Sequence, residues 1–376
     1  MNFGVLRERT AFENRVAVTP PVVRQLAEHG NTVWVEAGAG DGAMFRDEEY
    51  VRAGAHIAYS PAEVTHRAEI VLKVSVPTLE ELDQCPTGAV LMAFYHMAVA
   101  SRRLLERLVG RSITAIGYEV IQADDGRLPV LAAISEIAGQ MTVPVAMHLL
   151  RSSSGGRGIL LGGSPGVPPA HVVILGAGVV GTWAARTAVA AGARVTVLDV
   201  DTEKLRRLLE HLPNLSTALA DPDTVAARVA EADVLIGAVL VAGRKTPHVV
   251  SRQMVEQMRP GSVIIDVAID QGGCVETSRP TTLAQPSFVH HGVVHYCVPN
   301  LTSDVARSAS IALAQALLPF LLEISQKKLE GTLRQRSDLA RGVYTHAGWC
   351  VCPSLAEALG IPCRRLEELL QARAAG

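Results

Sequence analysis

The chain has 376 residues, of which 48% are hydrophobic and 19% are charged, and its formal net charge is −2. This length suits two domains, and a chain without a basic excess has little with which to neutralise a phosphate backbone, so we expect no nucleic-acid partner. The N-terminal residues are charged where a signal peptide needs an apolar core, and the apolar stretch 309–323 looks too short and interrupted to cross a bilayer. We therefore expect a cytoplasmic protein that does not enter a membrane.

The first 130 residues alternate predicted strands and helices. Their apolar periodicity and turn residues predict strands at 2–6, 31–38, 68–74, 89–96 and 112–120, and helices at 19–30, 47–55 and 99–111. Such alternation is typical of an α/β domain with a parallel sheet. The third and fourth strands are expected to end near Lys73 and at His96, and open α/β sheets bind their ligands at the carboxyl ends of strands.

A helical stretch begins at Ser135 and leads through a glycine- and proline-rich segment to the most informative motif of the chain. The run HVVIL (171–175) predicts a strand, GAGVVG (176–181) a glycine turn that opens a helix, and RVTVLD (194–199) a second strand. Gly176 permits the tight turn, Gly178 lets a pyrophosphate approach the backbone, and Gly181 lets the helix pack on the strand. Asp199 is placed to accept the ribose hydroxyls of NAD and to repel the 2′-phosphate of NADP, although Lys204 lies close in sequence. The alternative, a βαβ turn with a packing role only, fits less well because both strands and the terminal acid are present.

The remaining pattern predicts where the domains divide. Strands are expected at 232–240, 262–270 and 291–298, the second of them ending in Asp270, and a long apolar helix is expected from about 303 to 328. Because that helix can carry the chain back to the first domain, we predict a discontinuous substrate domain (1–134 plus 302–376) and a Rossmann domain (135–301). The predicted fold is α/β, with two doubly wound domains and a cleft between them.

Four residues stand out as candidates for chemistry. Arg15 and Lys73 could hold a small carboxylate, while His96 and Asp270 could move protons as a nicotinamide exchanges hydride with a 2-amino or 2-oxo acid. Taken singly, each has an ordinary alternative: a lysine at a strand end is often a rim residue, and an aspartate after a strand is often a cap.

No metal site is expected from the histidines and cysteines. One local group, His346, Cys350 and Cys352, has irregular spacing, and the six cysteines contain no C-x-x-C pair. Strand alternation would place His291 and His295 on one face and His290 on the other.

The chain resembles alanine dehydrogenases, and the related nicotinamide nucleotide transhydrogenase alpha subunits, along almost its full length. The resemblance is carried by ENRVAVTP, AEIVLKV, FYH, SEIAGQM, GGRGILLGG, GAGVVG, ADVLIGAVL and DVAIDQGGCVETSRPTT. It implies that Arg15 and Lys73 bind the substrate carboxylate and that His96 and Asp270 transfer protons as alanine becomes pyruvate and ammonium. It also implies an NAD site and a homo-oligomer, either a hexamer or a dimer. The residues expected at the NAD site are Ser135, Gly176, Gly178, Val179, Gly181, Asp199, Lys204, Val239, Leu240, Ile269 and Asn300.

Two stretches depart from the family pattern near the expected pocket. The pattern KVKEP is here Lys73-Val74-Ser75-Val76-Pro77, and NMP-x-x-VP-[KR]-TS is here the segment 300–309, with Asp304 and Ala306 in place of a small residue and a proline. If Ser75 opens space and Asp304 faces the pocket, alanine should be a weaker substrate than a larger or more polar 2-amino acid. Asp304 could equally be a dipole-matched acid in a first helical turn. The remaining alternatives are a dehydrogenase or reductase for another 2-amino or 2-imino acid, and a nucleotide-binding module without turnover.

Overall fold

The structure is a computed structural model that describes residues 1–374, and these divide into two compact units. Unit 1 comprises Met1–Ile134 together with the segment from Ser303 onward, and unit 2 comprises Ser135–Thr302. Thr302, which the sequence analysis assigned to the first domain, falls in unit 2 by this division.

The N-terminal part of unit 1 alternates strands and helices, with a short 3-10 helix at Asp41–Ala43 and another at Tyr118–Val120. Its elements are β1 (Asn2–Val5), α1 (Pro20–Glu28), β2 (Thr32–Glu36), α2 (Asp47–Arg52), β3 (His56–Ala58), α3 (Pro61–Arg67), β4 (Ile70–Leu72), α4 (Leu79–Gln84), β5 (Val90–Ala93), α5 (Arg102–Gly110), β6 (Thr114–Gly117) and α6 (Pro129–Leu149). Helix α6 begins in unit 1 and ends in unit 2.

Unit 2 also alternates strands and helices, with a 3-10 helix at Ser152–Ser154, one at Val267–Gln271 and one that begins at Leu301. Its elements are β7 (His171–Leu175), α7 (Val179–Ala190), β8 (Arg194–Asp199), α8 (Thr202–His211), β9 (Ser216–Leu219), α9 (Pro222–Glu231), β10 (Val234–Gly237), α10 (Arg252–Glu256), β11 (Val263–Asp266), β12 (Ser287–His290) and β13 (Val293–Tyr296). The chain then returns to unit 1 through α11 (Ala306–Gln335), α12 (Ser337–Arg341), β14 (Val343–His346), β15 (Trp349–Cys350), α13 (Pro353–Leu359) and α14 (Leu366–Ala374).

The sheet of unit 2 has the strand order of a Rossmann fold. The order is β12-β13-β11-β10-β7-β8-β9, in which all neighbours are parallel except the β12–β13 pair. The six parallel strands, numbered by their place in the unit, read 3-2-1-4-5-6 from β9 to β13. The order reverses between β7 and β10, and such a point is where doubly wound sheets bind nucleotides.

The sheet of unit 1 has the same arrangement of its parallel strands. Its order is β15-β14-β6-β5-β4-β1-β2-β3, so β3 to β6 also read 3-2-1-4-5-6, and the antiparallel strands β14 and β15 extend the β6 edge. The reversal point here lies between β1 and β4, which brings together the loops that follow these two strands. The predicted α/β class with two doubly wound sheets, one of them a Rossmann sheet, is confirmed.

Buried apolar strands explain why both sheets form. The residues of β7 and of β10 are all buried, as expected for parallel strands with helices on both faces of a sheet. In unit 2 the side chains of Val172, Ile174, Val234 and Ile236 pack with residues of α6 and α7 in one cluster. This packing on both faces holds the strands in place, so the loops that follow them start from defined positions at the edge of the sheet.

Two helices are longer and more apolar than the sequence analysis allowed. Pro129–Leu149 and Leu301–Gln335 are each long and apolar enough to cross a membrane by length and composition alone. Substantial parts of both are buried in the protein, and α11 is broken at Lys328, whose φ is 61° and ψ is 162°. Core helices of soluble proteins pass the same test, so these helices are not evidence for a membrane protein.

Several element boundaries were predicted wrongly. Strand β4 ends at Leu72 and β5 at Ala93, so Lys73 and His96 lie in the loops beyond them, and β11 ends at Asp266, which leaves Asp270 in a 3-10 helix. The elements β3, α3, α4, β9 and α9 were not predicted. Short strands carry too few residues for their alternation to be recognised, and a 3-10 turn continues an apolar run without changing its composition.

Candidate active site

The candidate residues of unit 1 lie at the carboxyl ends of its parallel strands. Arg15 follows β1, Lys73 and Ser75 follow β4, and His96 follows β5. Since β1 and β4 are hydrogen-bonded neighbours at the reversal point of the sheet, their loops emerge side by side.

Arg15 is buried and paired with a glutamate from its own loop. Its side chain is 2% exposed, its Nε donates to Glu13 Oε1 at 2.7 Å, and its Nη2 donates to Glu13 Oε2. Burial would raise the pKa of Glu13, but the charge and hydrogen bonds of Arg15 hold this pKa below its usual value. Glu13 thus holds the guanidinium in a fixed orientation through a two-point contact.

Lys73 is enclosed by carboxylates. Its side chain is 1% exposed, its Nζ donates to Glu81 Oε1 at 2.7 Å and Oε2 at 2.9 Å, and Glu8 Oε2 lies 3.5 Å away. An ammonium has three N–H donors, so these oxygens match its capacity. A substrate carboxylate at Lys73 would have to replace one of the glutamate oxygens.

Glu8 and Ser75 complete this buried cluster. Glu8 accepts hydrogen bonds from the backbone N–H of Val74 at 2.6 Å and of Ser75 at 3.3 Å, and Ser75 Oγ donates to Glu13 Oε2 at 3.0 Å. Burial raises the pKa of Glu8 to about 7, although the nearby charge of Lys73 opposes the shift. Arg9 Nη1 also lies 3.4 Å from Glu81 Oε1, and Arg9 pairs with Glu36. With Arg9 and Glu36 included, four glutamates face three cations, so the cluster carries one negative charge unless one of the carboxylates holds a proton.

His96 sits on a strained turn that a glutamate holds in place. Its φ is 47°, a left-handed conformation that costs energy for a residue with a side chain. Glu119, which is 3% exposed, accepts the backbone N–H of His96 at 2.7 Å, the N–H of Tyr95 at 3.2 Å and the hydroxyl of Tyr344 at 2.9 Å. The His96 ring stacks on Phe94 with centroids 5.9 Å apart. These contacts fix the direction in which the half-buried imidazole leaves the sheet.

In unit 2 the glycine loop lies at the reversal point of the Rossmann sheet. A Cβ on Gly176, whose φ is 104°, would lie 2.5 Å from the carbonyl oxygen of Ala238 in the loop after β10. A Cβ on Gly181 would lie 1.8 Å from the Gly176 oxygen, whereas a Cβ on Gly178 would meet nothing within 4 Å. Two of the glycines are therefore required by close packing, and the third faces open space at the start of α7, where Val179 is the first helical residue. This arrangement fits the pyrophosphate of a dinucleotide.

Asp199 ends β8 and is hydrogen-bonded to the same loop. Its Oδ2 accepts the N–H of Ala177 at 2.6 Å and its Oδ1 accepts the N–H of Asp201 at 2.9 Å, and the residue is 8% exposed. Each carboxylate oxygen has a second lone pair, so Asp199 can brace the glycine loop and still accept a ribose hydroxyl. Lys204 is exposed on α8, five residues further along the chain.

The other predicted nucleotide residues of unit 2 follow its neighbouring strands. Val239 and Leu240 follow β10, Ile269 and Asp270 lie in the 3-10 helix after β11, and Asn300 follows β13. The backbone N–H of Asn300, whose φ is 55°, donates to Asp270 Oδ1 at 3.1 Å. The structure thereby brings Asp270 and Asn300 together.

Ser135 is linked to the glycine loop through its helix. It is half-buried on α6, one helical turn before Gly139, and residues four apart share a helix face. A Cβ on Gly139 would lie 2.4 Å from the carbonyl oxygen of Val180 in α7. The face of α6 that carries Ser135 therefore packs against the helix that opens at the glycine loop.

Asp304 lies at the surface, next in sequence to a residue that is hydrogen-bonded to the loop carrying Arg15. Asp304 is exposed in the 3-10 helix Leu301–Val305, and the neighbouring Ser303 is buried and hydrogen-bonded to the backbone of Phe12 and Asn14.

Among residues 1–374, no group of three or more histidine, cysteine, aspartate or glutamate side chains could hold a metal ion.

Sequence reasoning missed the residues that hold the candidates in place. These are the glutamates that surround the two cations and the His96 turn, namely Glu8, Glu13, Glu81 and Glu119. The signal for Glu13 was its position two residues before Arg15. Glu81 is a capping residue of α4, where Thr78-x-x-Glu81 forms a capping box, and its second role with Lys73 has no local signature.

Comparison with known protein families gives matches over nearly the whole chain. The family model "Alanine dehydrogenase/PNT, N-terminal domain" matches residues 4–138, and "Alanine dehydrogenase/PNT, C-terminal domain" matches residues 142–353. An alanine dehydrogenase of Halomonas elongata is 42% identical over 362 residues, which are 96% of this chain and 97% of that protein.

Solved structures give the same picture. An L-alanine dehydrogenase superposes with a TM-score of 0.89 at 42% identity, covering 96% of this chain and 99% of its own. A transhydrogenase from Sinorhizobium meliloti superposes with a TM-score of 0.78 at 27% identity, covering 94% of this chain and 100% of its own.

Proposed function

The chain belongs to the alanine dehydrogenase/PNT family, and from this premise we propose that it is an NAD-dependent amino-acid dehydrogenase that converts L-alanine, or a close relative, to the 2-oxo acid and ammonium. The observation that carries the proposal is that the chemistry-bearing residues follow the carboxyl ends of two Rossmann-ordered sheets, one per unit. The greater likeness to alanine dehydrogenases than to the transhydrogenase supports an organic substrate.

The cofactor that we propose is NAD, held by unit 2. The open space at Gly178 would take the pyrophosphate, and Asp199 would accept the adenosine ribose hydroxyls while repelling a 2′-phosphate. We assign the remaining contacts to Ser135, Gly176, Val179, Gly181, Lys204, Val239, Leu240, Ile269 and Asn300. When bound, the nicotinamide supplies the acceptor for the substrate hydride.

Side chains of the protein would bind the substrate and transfer its protons. Arg15 would bind the substrate carboxylate through its guanidinium, which Glu13 holds in place, and Lys73 would support it from within the glutamate cluster. The substrate amine loses a proton as its Cα gives up hydride, which leaves an imine. His96 and Asp270 would take this proton, activate the water that attacks the imine, and return a proton to the departing ammonia.

We propose that the substrate pocket of this chain differs from the pocket that the family pattern implies. Ser75 is bound to Glu13, close to Arg15, at the position where the family pattern has a lysine, and Val76 stands where the pattern has a glutamate. The loop after Lys73 therefore lacks one cation and one acid of the family pattern. We propose weak activity with alanine and stronger activity with a larger or more polar 2-amino acid. Asp304 is exposed near the start of α11, and we assign it a part in this preference.

A substrate screen tests the proposed function. The protein is mixed with NAD and single amino acids, and NADH formation is followed at 340 nm; 2-oxo acids with ammonium and NADH test the reverse direction. We expect turnover with at least one small 2-amino acid, and Asp304→Ala should change the ranking if its side chain contributes to selectivity. Alanine as the best substrate of both proteins would reject the altered pocket, and no turnover with any pair would favour a nucleotide-binding module.

We further propose a cytoplasmic homo-oligomer, a hexamer or a dimer. All six cysteines are free thiols in the structure, which suits a reducing compartment. The family resemblance supports the oligomer, and light scattering coupled to size-exclusion chromatography measures its mass.

A further inference from the structure

A groove lined by arginines lies on unit 1 away from the proposed catalytic residues. It is formed by Leu79 at the start of α4 and by a face of α5 with the residue after it, and its volume is about 570 Å³. We name it the α5 groove, and its lining residues are Leu79, Arg103, Glu106, Arg107, Gly110 and Arg111.

The three arginines of the α5 groove stand on one face of the helix. Arg103, Arg107 and Arg111 are spaced four residues apart, so neighbouring members are about 6 Å apart along the axis. Like charges at this spacing repel one another, and the sequence keeps three of them in succession. An anion bound between the arginines would reduce this repulsion.

The acidic partners do not balance this charge. Arg107 Nη1 pairs with Asp83 Oδ1 at 2.5 Å, and Glu106 pairs with Arg102 at 2.8 Å. Arg103 forms no ion pair within the described part of the chain. The groove lining therefore holds three arginines and one glutamate, and Asp83 pairs with one of these arginines, in a protein whose overall charge is −2.

Arg111 is held in position at one end of the α5 groove. Its Nη2 donates to the backbone oxygen of Cys85 at the end of α4, which fixes the guanidinium. Its Nε is buried and, among the residues that the structure describes, has no hydrogen-bond partner. An enclosed Nε is not reached from the groove, so Arg111 contributes to the groove through the charge of its fixed guanidinium.

We propose that the α5 groove binds a small molecule bearing a phosphate or diphosphate group. Arginine forks match the oxygens of a phosphate, and a diphosphate can contact two neighbouring arginines of the row at once. The volume is that of a small-ligand site. No aromatic side chain lines the groove, so the anionic group itself, rather than a stacked base, provides the recognition.

Calorimetric titration with inorganic pyrophosphate tests the proposal. The protein is first saturated with NAD so that the glycine loop of unit 2 does not bind the probe. We expect saturable binding that weakens as salt is added, and a dissociation constant about tenfold higher in Arg103→Ala. The matched control is Arg206→Ala, which removes an exposed arginine from α8 and should leave the binding unchanged. Equal thermal midpoints of the variants show that both are folded.

Two questions are answered separately: whether the α5 groove binds an anion, and whether that anion is a phosphate. Absence of saturable binding, or equal weakening by Arg103→Ala and Arg206→Ala, overturns the site. A parallel titration with citrate tests the chemistry: tighter binding of pyrophosphate supports a phosphate ligand, and equal or tighter binding of citrate overturns that assignment.

Discussion

Lys73 and Arg15 carry the same charge, but their surroundings differ. The ammonium of Lys73 is matched by three glutamate oxygens, whereas Glu13 engages one edge of the Arg15 guanidinium. The resemblance assigned both residues to the substrate carboxylate. Because the oxygens around Lys73 already match its three N–H donors, we propose that Lys73 mainly holds the loop after β4 and that Arg15 contributes more to substrate binding.

This difference predicts that substitutions at Lys73 mainly affect the free energy of unfolding, whereas substitutions at Arg15 mainly affect KM. Lys73→Met should lower the free energy of unfolding by about 3–5 kcal/mol, because it leaves Glu8 buried without its cation and leaves Glu81 only Arg9, whose Nη1 lies 3.4 Å from Glu81 Oε1. It should raise KM less than a change at Arg15 does. Arg15→Lys should raise KM at least tenfold with a smaller loss of stability, because an ammonium cannot hold both Glu13 and a substrate carboxylate. Steady-state kinetics and urea unfolding measure the two quantities. An equal rise of KM in both variants would contradict the assignment.

Glu8 predicts a pH dependence of stability. The pKa of Glu8 is near 4.5 in an unfolded chain and about 7 in the folded protein, so between these values the folded state holds more protons. This acid therefore lowers stability as pH rises from 4.5 to 7, and its full penalty, at most about 3 kcal/mol, is present above pH 7. Glu8→Gln removes the ionisation, so relative to the unmodified protein the variant should gain stability across this window.

Unfolding curves between pH 4.5 and 8 measure this gain. Trp34 and Trp349 lie in unit 1 and Trp183 in unit 2, so a Trp183→Phe background makes tryptophan fluorescence report on unit 1. Glu357→Gln, at an exposed position, is the matched control and should show no pH-dependent difference. A constant difference between Glu8→Gln and its parent across the window would show that Glu8 does not titrate there.

Asp199 predicts the choice between NAD and NADP. The unmodified protein should bind NAD well and NADP poorly. Asp199→Ala should narrow this gap by about 1–3 kcal/mol, because it removes both a charged hydrogen-bond acceptor and the repulsion of a 2′-phosphate. Since Asp199 also holds Ala177, part of the NAD loss should come from a looser glycine loop. Fluorescence titrations with both cofactors measure the gap, and equal affinities of the unmodified protein would refute the role.

The glycine loop and helix α7 are the elements whose structure was most predictable from sequence. The strand, the three glycines, the helix and the acid-ended strand are local features, and each has the position that the motif requires. The 3-10 helix that carries Asp270 was not predictable, because tertiary packing of the loop after β11 determines it. The glutamates around Lys73 were hidden for a similar reason, since Glu8, Lys73 and Glu81 come from three separate segments.

Two glycine variants test whether the glycine loop binds the pyrophosphate and which of its glycines is needed for packing. Gly178→Ala should leave the thermal midpoint unchanged, because its Cβ meets no atom within 4 Å, and should weaken NAD binding at least tenfold by filling the space proposed for the pyrophosphate. Gly181→Ala is the contrasting variant: its Cβ would lie 1.8 Å from the Gly176 oxygen, so it should lower the midpoint as well. Normal NAD affinity in Gly178→Ala would place the pyrophosphate elsewhere.

At the scale of the whole molecule, the two sheets repeat one strand order. Alternating strands and helices in the sequence predicted two α/β sheets, but the extension of the first sheet by β14 and β15 depends on pairing across more than 200 residues. The proposed substrate residues Arg15 and His96 belong to unit 1, and the proposed nucleotide residues and Asp270 belong to unit 2. The central claim is therefore that hydride transfer needs contributions from both units, while NAD binding needs unit 2 alone.

The most direct test measures turnover and NAD binding together in His96→Ala and Asp270→Ala. NADH formation at 340 nm, with the best amino acid of the screen, gives kcat, and fluorescence titration gives the dissociation constant for NAD. The account predicts that His96→Ala loses turnover by at least a hundredfold while it binds NAD as the unmodified protein does, and that Asp270→Ala loses turnover similarly with NAD affinity largely retained. Near-normal kcat in His96→Ala, or loss of NAD binding in that variant, would contradict it.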